Sequence, residues 1–322
     1  MKTDYIYQSA FAKDVAKGLT AHPKHIPSRY FYDEYGDLLF QQIMKIPEYY
    51  LTRSEFSILE TDREKILKPI VDLGQKFNLI ELGVGDGFKS KLLLSYLYQQ
   101  HIPFTYYPND ISSNVLDLLS ETLKKEFPDL SFRLIAENYF EALKKNAWRN
   151  DQPSLMIFLG SNVGNYTENE TKSLLDSISA SLESGDQLLL GFDLKKDPAV
   201  ILRAYNDEGG VTKAFNLNLL KRINRELGAD FDLDAFRHWP VYDPVTGTCK
   251  SHLVSLKEQR VFVEQLGMEV SFEMAEPIFT EISQKYSVSD VSELVEKAGF
   301  EVIEVFMDDK RYFADMLCRK IV

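Results

Sequence analysis

Cysteine is scarce in this 322-residue chain: Cys249 and Cys318 are the only two, and they stand in no CxxC spacing. A disulfide framework and a thiolate zinc site are therefore not expected, and two reduced thiols suit the cytosol. Histidine is nearly as sparse. The five at positions 22, 25, 101, 238 and 252 offer no HxxxH or similar ligand spacing, so no metal is expected; they read as scattered surface or hydrogen-bonded residues. Long apolar runs are missing too. No stretch approaches the roughly 20 residues of a membrane span, and the first eighteen residues lack the apolar core of a signal peptide. A surplus of positive charge is also absent: 37 Lys and Arg stand against 49 Asp and Glu, a net charge of −12. Nucleic-acid binding relies on clustered bases, whereas here they mix with acids, as in Lys195-Lys196-Asp197. The expectation is a soluble, cytoplasmic monomer that handles a small molecule and neither nucleic acid nor membrane.

With 44% hydrophobic residues the chain can bury a sizeable core. From about residue 76 to 193, short apolar strands alternate with amphipathic helices. The candidate strands are Asn78–Leu82, Phe104–Pro108, Ser131–Ile135, Leu155–Leu159 and Gln187–Phe192. Ser113–Phe127 has the helical period, and Thr167 with Glu170 forms a capping box for a later helix that Gly185 closes. This alternation predicts a parallel, doubly wound sheet. Near the end, a helix at Ser289–Ala298 precedes two strands, Glu301–Met307 and Tyr312–Arg319, split by the turn-prone Asp308-Asp309-Lys310. A final antiparallel hairpin on a parallel sheet is the mark of a Rossmann-like class I methyltransferase core, and most dinucleotide dehydrogenases lack it. Between these parts, a helical stretch near Val211–Leu227 and strand-like pieces around Asp243–Gly247 break the rhythm. The predicted organisation is an α/β core of residues 58–196 and 286–322, with a second, discontinuous α+β substrate domain of residues 1–57 and 197–285.

The segment Ile80-Glu81-Leu82-Gly83-Val84-Gly85-Asp86-Gly87 follows a predicted strand and opens a helix. Glycines there allow a tight turn and close approach of a ligand to the backbone. A dinucleotide site would show GxGxxG with an acid about 20 residues later. Here the run is GxGxG, and Glu81 precedes it, where a carboxylate could face an amino group or sulfonium. A plain tight turn is the alternative. Asp110 ends the second strand and could accept from two ribose hydroxyls, or it could serve as the acid of a helix N-terminus ahead of Ser112 and Ser113.

Six blocks in order along the chain carry a family resemblance: Tyr30-Phe31-Tyr32-Asp33; Pro47 to Arg53; Glu81 to Gly85; Phe158 to Asn165; Arg203-Ala204-Tyr205-Asn206-Asp207; and Thr280 to Tyr286. The sequence resembles the L-histidine Nα-methyltransferases of ergothioneine biosynthesis over nearly its whole length. The resemblance implies S-adenosylmethionine as cofactor, with Gly83, Gly85, Lys89 and Asp110 on cofactor positions. Asn138 and Tyr139 fall on a further cofactor pair that is Asp-Phe in the family; the Asn still offers an acceptor to the adenine. Tyr32, Tyr49, Asn165 and Tyr205 match positions that hold the substrate's amino and carboxylate groups, with Tyr32 and Asn165 as the catalytic candidates. Glu281 and Ser283 match the pair that reads the imidazole. One departure bears on specificity: a family position that is apolar near the imidazole falls on Ser251, beside His252. Fungal enzymes that methylate a tryptophan derivative share the overall pattern and are the nearest alternative.

The residues suit that chemistry. Methyl transfer from a sulfonium needs a neutral amine held in line, and no metal; orientation alone can supply up to roughly 7–11 kcal/mol. On a strand, Glu281 and Ser283 share a face and could meet the two ring nitrogens of an imidazole. Three tyrosines suit a zwitterion and tolerate a growing methylammonium through cation–π attraction, though each could equally be a core aromatic with a satisfied hydroxyl. Lys285 reads as a solvated charge. Two rivals from other classes stand beside this reading: a nicotinamide-dependent oxidoreductase on a similar core, and a non-catalytic amino-acid sensor. The α-amino group of L-histidine, methylated to the trimethylated betaine hercynine, is the expected substrate.

Overall fold

The computed structural model describes residues 9–321; the first eight residues, which the sequence assigns to the substrate domain, lie outside the described ones, as does residue 322. The chain forms two compact units, Met1–Tyr50 with Lys196–Ser283 and Leu51–Lys195 with Gln284–Val322. Residues 51–57 therefore belong with the core rather than with the inserted unit. The reason is local: Leu51–Val71 is a single helix, so the chain divides at its start.

The larger unit is built on an eight-stranded sheet. Its strands are β1 (Phe77–Leu82), β2 (Phe104–Asp110), β3 (Ser131–Phe132), β4 (Ile135–Ala136), β5 (Ser154–Phe158), β6 (Gln187–Asp193), β7 (Phe300–Met307) and β8 (Phe313–Lys320). The order across the sheet is β7-β8-β6-β5-β1-β2-β3, with β4 pairing β2 further along. Strands β1 to β6 pair in parallel, and β8 runs antiparallel between β6 and β7. This is the α/β, Rossmann-like sheet with an added antiparallel hairpin that the alternating pattern and the two terminal strands predicted. Strands β1, β5 and β6 are buried along their whole length, as parallel strands covered on both faces must be.

Two local expectations need correction. Ser131–Ile135 is not one strand: exposed Arg133 and Leu134 separate β3 from β4. The Asn109 amide then draws the chain back to β2 by donating to the carbonyls of Ile135 and Glu137 at 2.9 and 2.7 Å. Gly185 does not close a helix. The helix Glu168–Ser181, opened by the Thr167–Glu170 capping box, ends at Leu182, and the Gly185 N–H bonds the Lys320 carbonyl at 2.8 Å, linking the approach to β6 with β8.

In the smaller unit the sheet order is Lys24–His25, Pro277–Gln284, Thr248–Ser255, Phe236–Asp243. The last two form an antiparallel hairpin around Asp243, whose carbonyl accepts from the Gly247 N–H at 2.8 Å. The helix Val211–Leu227 buries Phe215, Leu219, Leu220 and Ile223, and the helix Ala10–Thr20 adds Phe11, Val15 and Leu19 to the same core. These apolar positions recur at the helical period, so each helix presents one greasy stripe inward. Among the described residues, no helix is long and apolar enough to cross a membrane.

Lys285 is not a solvated charge. Its ammonium lies 2.9 Å from the Asp193 carboxylate, and both side chains are wholly buried. Pairing is the condition on which two such charges can leave water. Lys285→Ala strands a buried carboxylate and is expected to lower the unfolding free energy by about 3–5 kcal/mol. Paired apolar replacements at both positions should cost much less. Denaturant titration of the two variants checks both expectations.

Candidate functional site

The glycine loop is tied to β2 before it meets anything else: the N–H groups of Gly83 and Val84 both donate to the Asn109 carbonyl, at 2.9 and 3.0 Å. Gly83 has φ +71°, and a Cβ there would lie 2.3 Å from the Tyr139 hydroxyl and 3.3 Å from the Asn162 amide nitrogen. Only glycine fits. Above Gly85 the space is open, with nothing within 4 Å of a Cβ position. That combination, a bare backbone closed in at one glycine and open at the next, suits a ligand that lies along the loop.

Asp110, at the end of β2, bonds backbone on two sides. One carboxylate oxygen accepts from the Gly85 N–H at 3.0 Å and the other from the Ser112 N–H at 2.9 Å. Burial pushes its pKa up, and the backbone donors pull against that. Each oxygen keeps a further lone pair, enough for a diol. Tyr139 packs edge-on against Phe158, with ring centroids 5.2 Å apart, and its hydroxyl covers Gly83. Asn138 has a prior engagement: it is the N-cap of the helix Tyr139–Lys145, where its Oδ1 accepts from the Glu141 N–H at 3.1 Å. An adenine would share that oxygen or take the amide nitrogen.

Lys89 forms an ion pair with Glu55, and its Nζ lies 3.3 Å from a Cβ position on Gly160, as does the Asn162 amide nitrogen. Lys89, Asn162, Tyr139, Gly83 and Gly160 thus gather at the C-terminal ends of β1 and β5, the place where ligands bind on such sheets. Asn165 ends the short helical turn Asn162–Asn165 that follows β5, with its side chain exposed.

Glu81 does not face a ligand. It is buried in β1 and accepts a hydrogen bond from the Tyr106 hydroxyl. Burial pushes its pKa up to about 7, against the pull of Tyr106 and Ser90. Sequence reasoning passed over Glu55, and it placed Gly160 and Asn162 only within the block Phe158 to Asn165, with no role of their own. Glu55 had a readable signal: it lies on the stripe of Leu51, Ile58 and Leu59, where an acid must find a partner.

The remaining candidates lie in the smaller unit. Tyr205 donates to the Ser283 hydroxyl at 2.7 Å, both residues being buried. Ser251 donates to Glu281 Oε2 at 3.2 Å, so the serine at the departing position is a partner of that carboxylate as well as a small side chain. Glu281 and Ser283 occupy the strand Pro277–Gln284, and Thr280, just before Glu281, donates toward the Asn216 side-chain oxygen at 3.1 Å and the Ser251 carbonyl at 3.0 Å. Tyr32, 41% exposed, sets its ring edge-on to Phe40 and Phe215, and Phe40 in turn meets Tyr49. His238 is neither a surface residue nor a hydrogen-bonded one: it is buried, neither ring nitrogen has a partner among the described residues, and burial lowers its pKa to about 4.

A family model described as histidine-specific, S-adenosylmethionine-dependent methyltransferase matches residues 11–320. The chain belongs to that family. It is similar to a histidine N-alpha-methyltransferase of Mycolicibacterium smegmatis, 38% identical over 90% of this chain and 88% of the relative. A second protein of that name, from Mycobacterium tuberculosis, is 34% identical over 97% of this chain and 95% of its own. A more distant relative, an L-tryptophan methyltransferase of Psilocybe serbica, is 26% identical over 93% of this chain and 90% of its own. The chain is thus an S-adenosylmethionine-dependent N-methyltransferase, and the two rival classes fall away.

Asp110→Ala is expected to weaken binding of the cofactor by about 1.5–3 kcal/mol, the range for hydrogen bonds to a charged group; calorimetry with S-adenosylmethionine checks it. Glu81 yields a pH prediction. Its folded pKa, about 7, lies above the unfolded value, so the fold binds an extra proton between pH 4.5 and 7. Stability from this group is present at low pH and is lost as pH rises through that window. Glu81→Gln should flatten that slope in urea midpoints measured across the range.

Proposed function

We propose that this enzyme methylates the α-amino group of L-histidine and carries the reaction through to the trimethylated betaine, hercynine. The observation that carries the reading is the polar set on one strand: Glu281 held by Ser251, and Ser283 held by Tyr205. A carboxylate and a hydroxyl fixed in this way can offer an acceptor and a donor to the two nitrogens of an imidazole. Membership of the histidine-specific family supports the same substrate.

In this reading, Leu51–Lys195 with Gln284–Val322 holds the cofactor, and Met1–Tyr50 with Lys196–Ser283 reads the substrate. Gly83, Gly85, Lys89, Asp110, Asn138 and Tyr139 bind S-adenosylmethionine, which supplies an activated methyl group on a sulfonium. Asp110 takes the ribose, the bare loop admits the amino-acid end, and Lys89 offers an ammonium to a carboxylate. Tyr49 and Tyr205 hold the zwitterion, while Tyr32 and Asn165 orient the amine, which must be neutral to react. Phenol rings also tolerate the growing methylammonium. The protein works as a cytoplasmic monomer on a free amino acid, with no nucleic-acid partner; its net charge of −12 supports the last point.

Glu281→Ala removes the imidazole's partner and is expected to lower kcat/KM for histidine by about tenfold or more, consistent with roughly 1–3 kcal/mol for an unpaired polar edge. Affinity for S-adenosylhomocysteine should hold, and any turnover of tryptophan or phenylalanine should change little. The deciding experiment is mass spectrometry of the purified enzyme incubated with S-adenosylmethionine and the twenty amino acids together. Faster methylation of tryptophan than of histidine would overturn the substrate and leave the methyl transfer intact.

A further inference from the structure

Beneath the glycine loop lies a charged cluster that substrate recognition does not use. Glu55 is wholly buried, accepts the Gly160 N–H at 2.7 and 2.9 Å, and pairs with Lys89. Asp315, on β8, is also wholly buried, and neither of its oxygens meets a donor elsewhere among the described residues. A Cβ on Gly191 would lie 2.2 Å from Glu55 Oε1 and 2.9 Å from Asp315 Oδ1, so the two carboxyl groups flank one bare backbone position.

We propose that Glu55 is a positioning residue: steadied by the Asp315 carboxyl and the Gly160 N–H, it fixes the Lys89 ammonium where that group meets the carboxylate at the cofactor's amino-acid end. Two dry carboxylates this close cannot both stay ionised. Burial and the neighbouring Glu55 drive the pKa of Asp315 well above the usual range, against the pull of Lys89. The proton therefore stays on Asp315, whose O–H can donate to Glu55. The cluster then holds one ammonium, one carboxylate and one neutral acid, a balance that a buried site tolerates. Lys89 keeps 21% of its side chain exposed and Glu55 none, which makes the ammonium the member that a ligand can reach.

This rests on the cofactor reading of the glycine loop, and the test separates the two. Calorimetry on the full chain would compare S-adenosylhomocysteine with 5′-methylthioadenosine, which lacks the amino-acid end. If the wild type binds neither, the cofactor reading fails and takes this proposal with it. Given wild-type binding, Glu55→Gln should weaken S-adenosylhomocysteine by about tenfold and leave 5′-methylthioadenosine nearly unchanged. Equal losses, or none, would overturn the positioning role. Asp315→Asn keeps a neutral donor and should bind S-adenosylhomocysteine within about threefold of wild type, whereas a loss of about tenfold contradicts the shared proton. Infrared spectroscopy stands independently of how Glu55→Gln folds: in a Glu81→Gln background, which removes the other carboxyl that holds a proton near neutral pH, the protein should show a protonated carboxyl band that Asp315→Asn removes. Absence of that band also overturns the proposal.

Discussion

Asp193 and Lys285 share a buried ion pair, and the path of the whole chain depends on it. The polypeptide leaves the larger unit after Lys195 and returns at Gln284. The pair at 2.9 Å closes that long excursion, helped by backbone bonds from Tyr286 N–H to the Asp193 carbonyl at 3.0 Å and from Lys195 N–H to the Tyr286 carbonyl at 2.9 Å. Because closure entropy grows only slowly with loop length, a firm clasp makes a large insertion affordable. The smaller unit has its own clasp: Lys196 donates to the Tyr50 hydroxyl at 2.7 Å and sits 4.4 Å over its ring. Tyr50 and Lys196 are the very residues at which two of its segments end and begin.

The same rule, that charge leaves water only in company, organises the cofactor side. Glu81 is matched by Tyr106 and Ser90, Asp110 by two backbone N–H groups, and Glu55 by Lys89 and Gly160. Apart from the Ser112 N–H and Ser90, these partners lie far away in sequence, at Tyr106 for Glu81, Gly85 for Asp110, and Lys89 and Gly160 for Glu55, so the pairs also tie together the segments around the glycine loop. Reaction rates in such sites depend on placement to a fraction of an ångström. Buried, directional pairs provide that stiffness better than loop packing could.

Much of this was legible in the residues, and what was not has physical reasons. Alternating apolar runs and amphipathic stretches predict β1, β2, β5 and β6, and the terminal hairpin, because burial on both faces leaves a strong mark on composition. The helix over Val211–Leu227 is likewise visible from its period. Lys285 was opaque because a buried lysine is written with the same letter as a solvated one, and Asp193 is remote in sequence. Gly185 followed a helix closely enough to pass for its cap, yet its amide is claimed by β8. Asn138 showed its family position but not its competing duty as a helix cap. His238 sits on a strand whose inner face includes Phe236, and only the fold reveals that nothing polar meets its ring.

The hydroxyl of Tyr139 against Gly83 also constrains how this site can change over generations. Alanine at position 83 meets two obstacles, the hydroxyl at 2.3 Å and a left-handed backbone at φ +71°. Exchanging Tyr139 for phenylalanine lifts the first and leaves the second. A lineage that has taken tyrosine at 139 has thus bolted a lock that was already shut, and the glycine becomes harder to lose with each such neighbour. Drift at this loop is expected to be one-directional: the surroundings can vary around the glycine, but the glycine cannot vary around them.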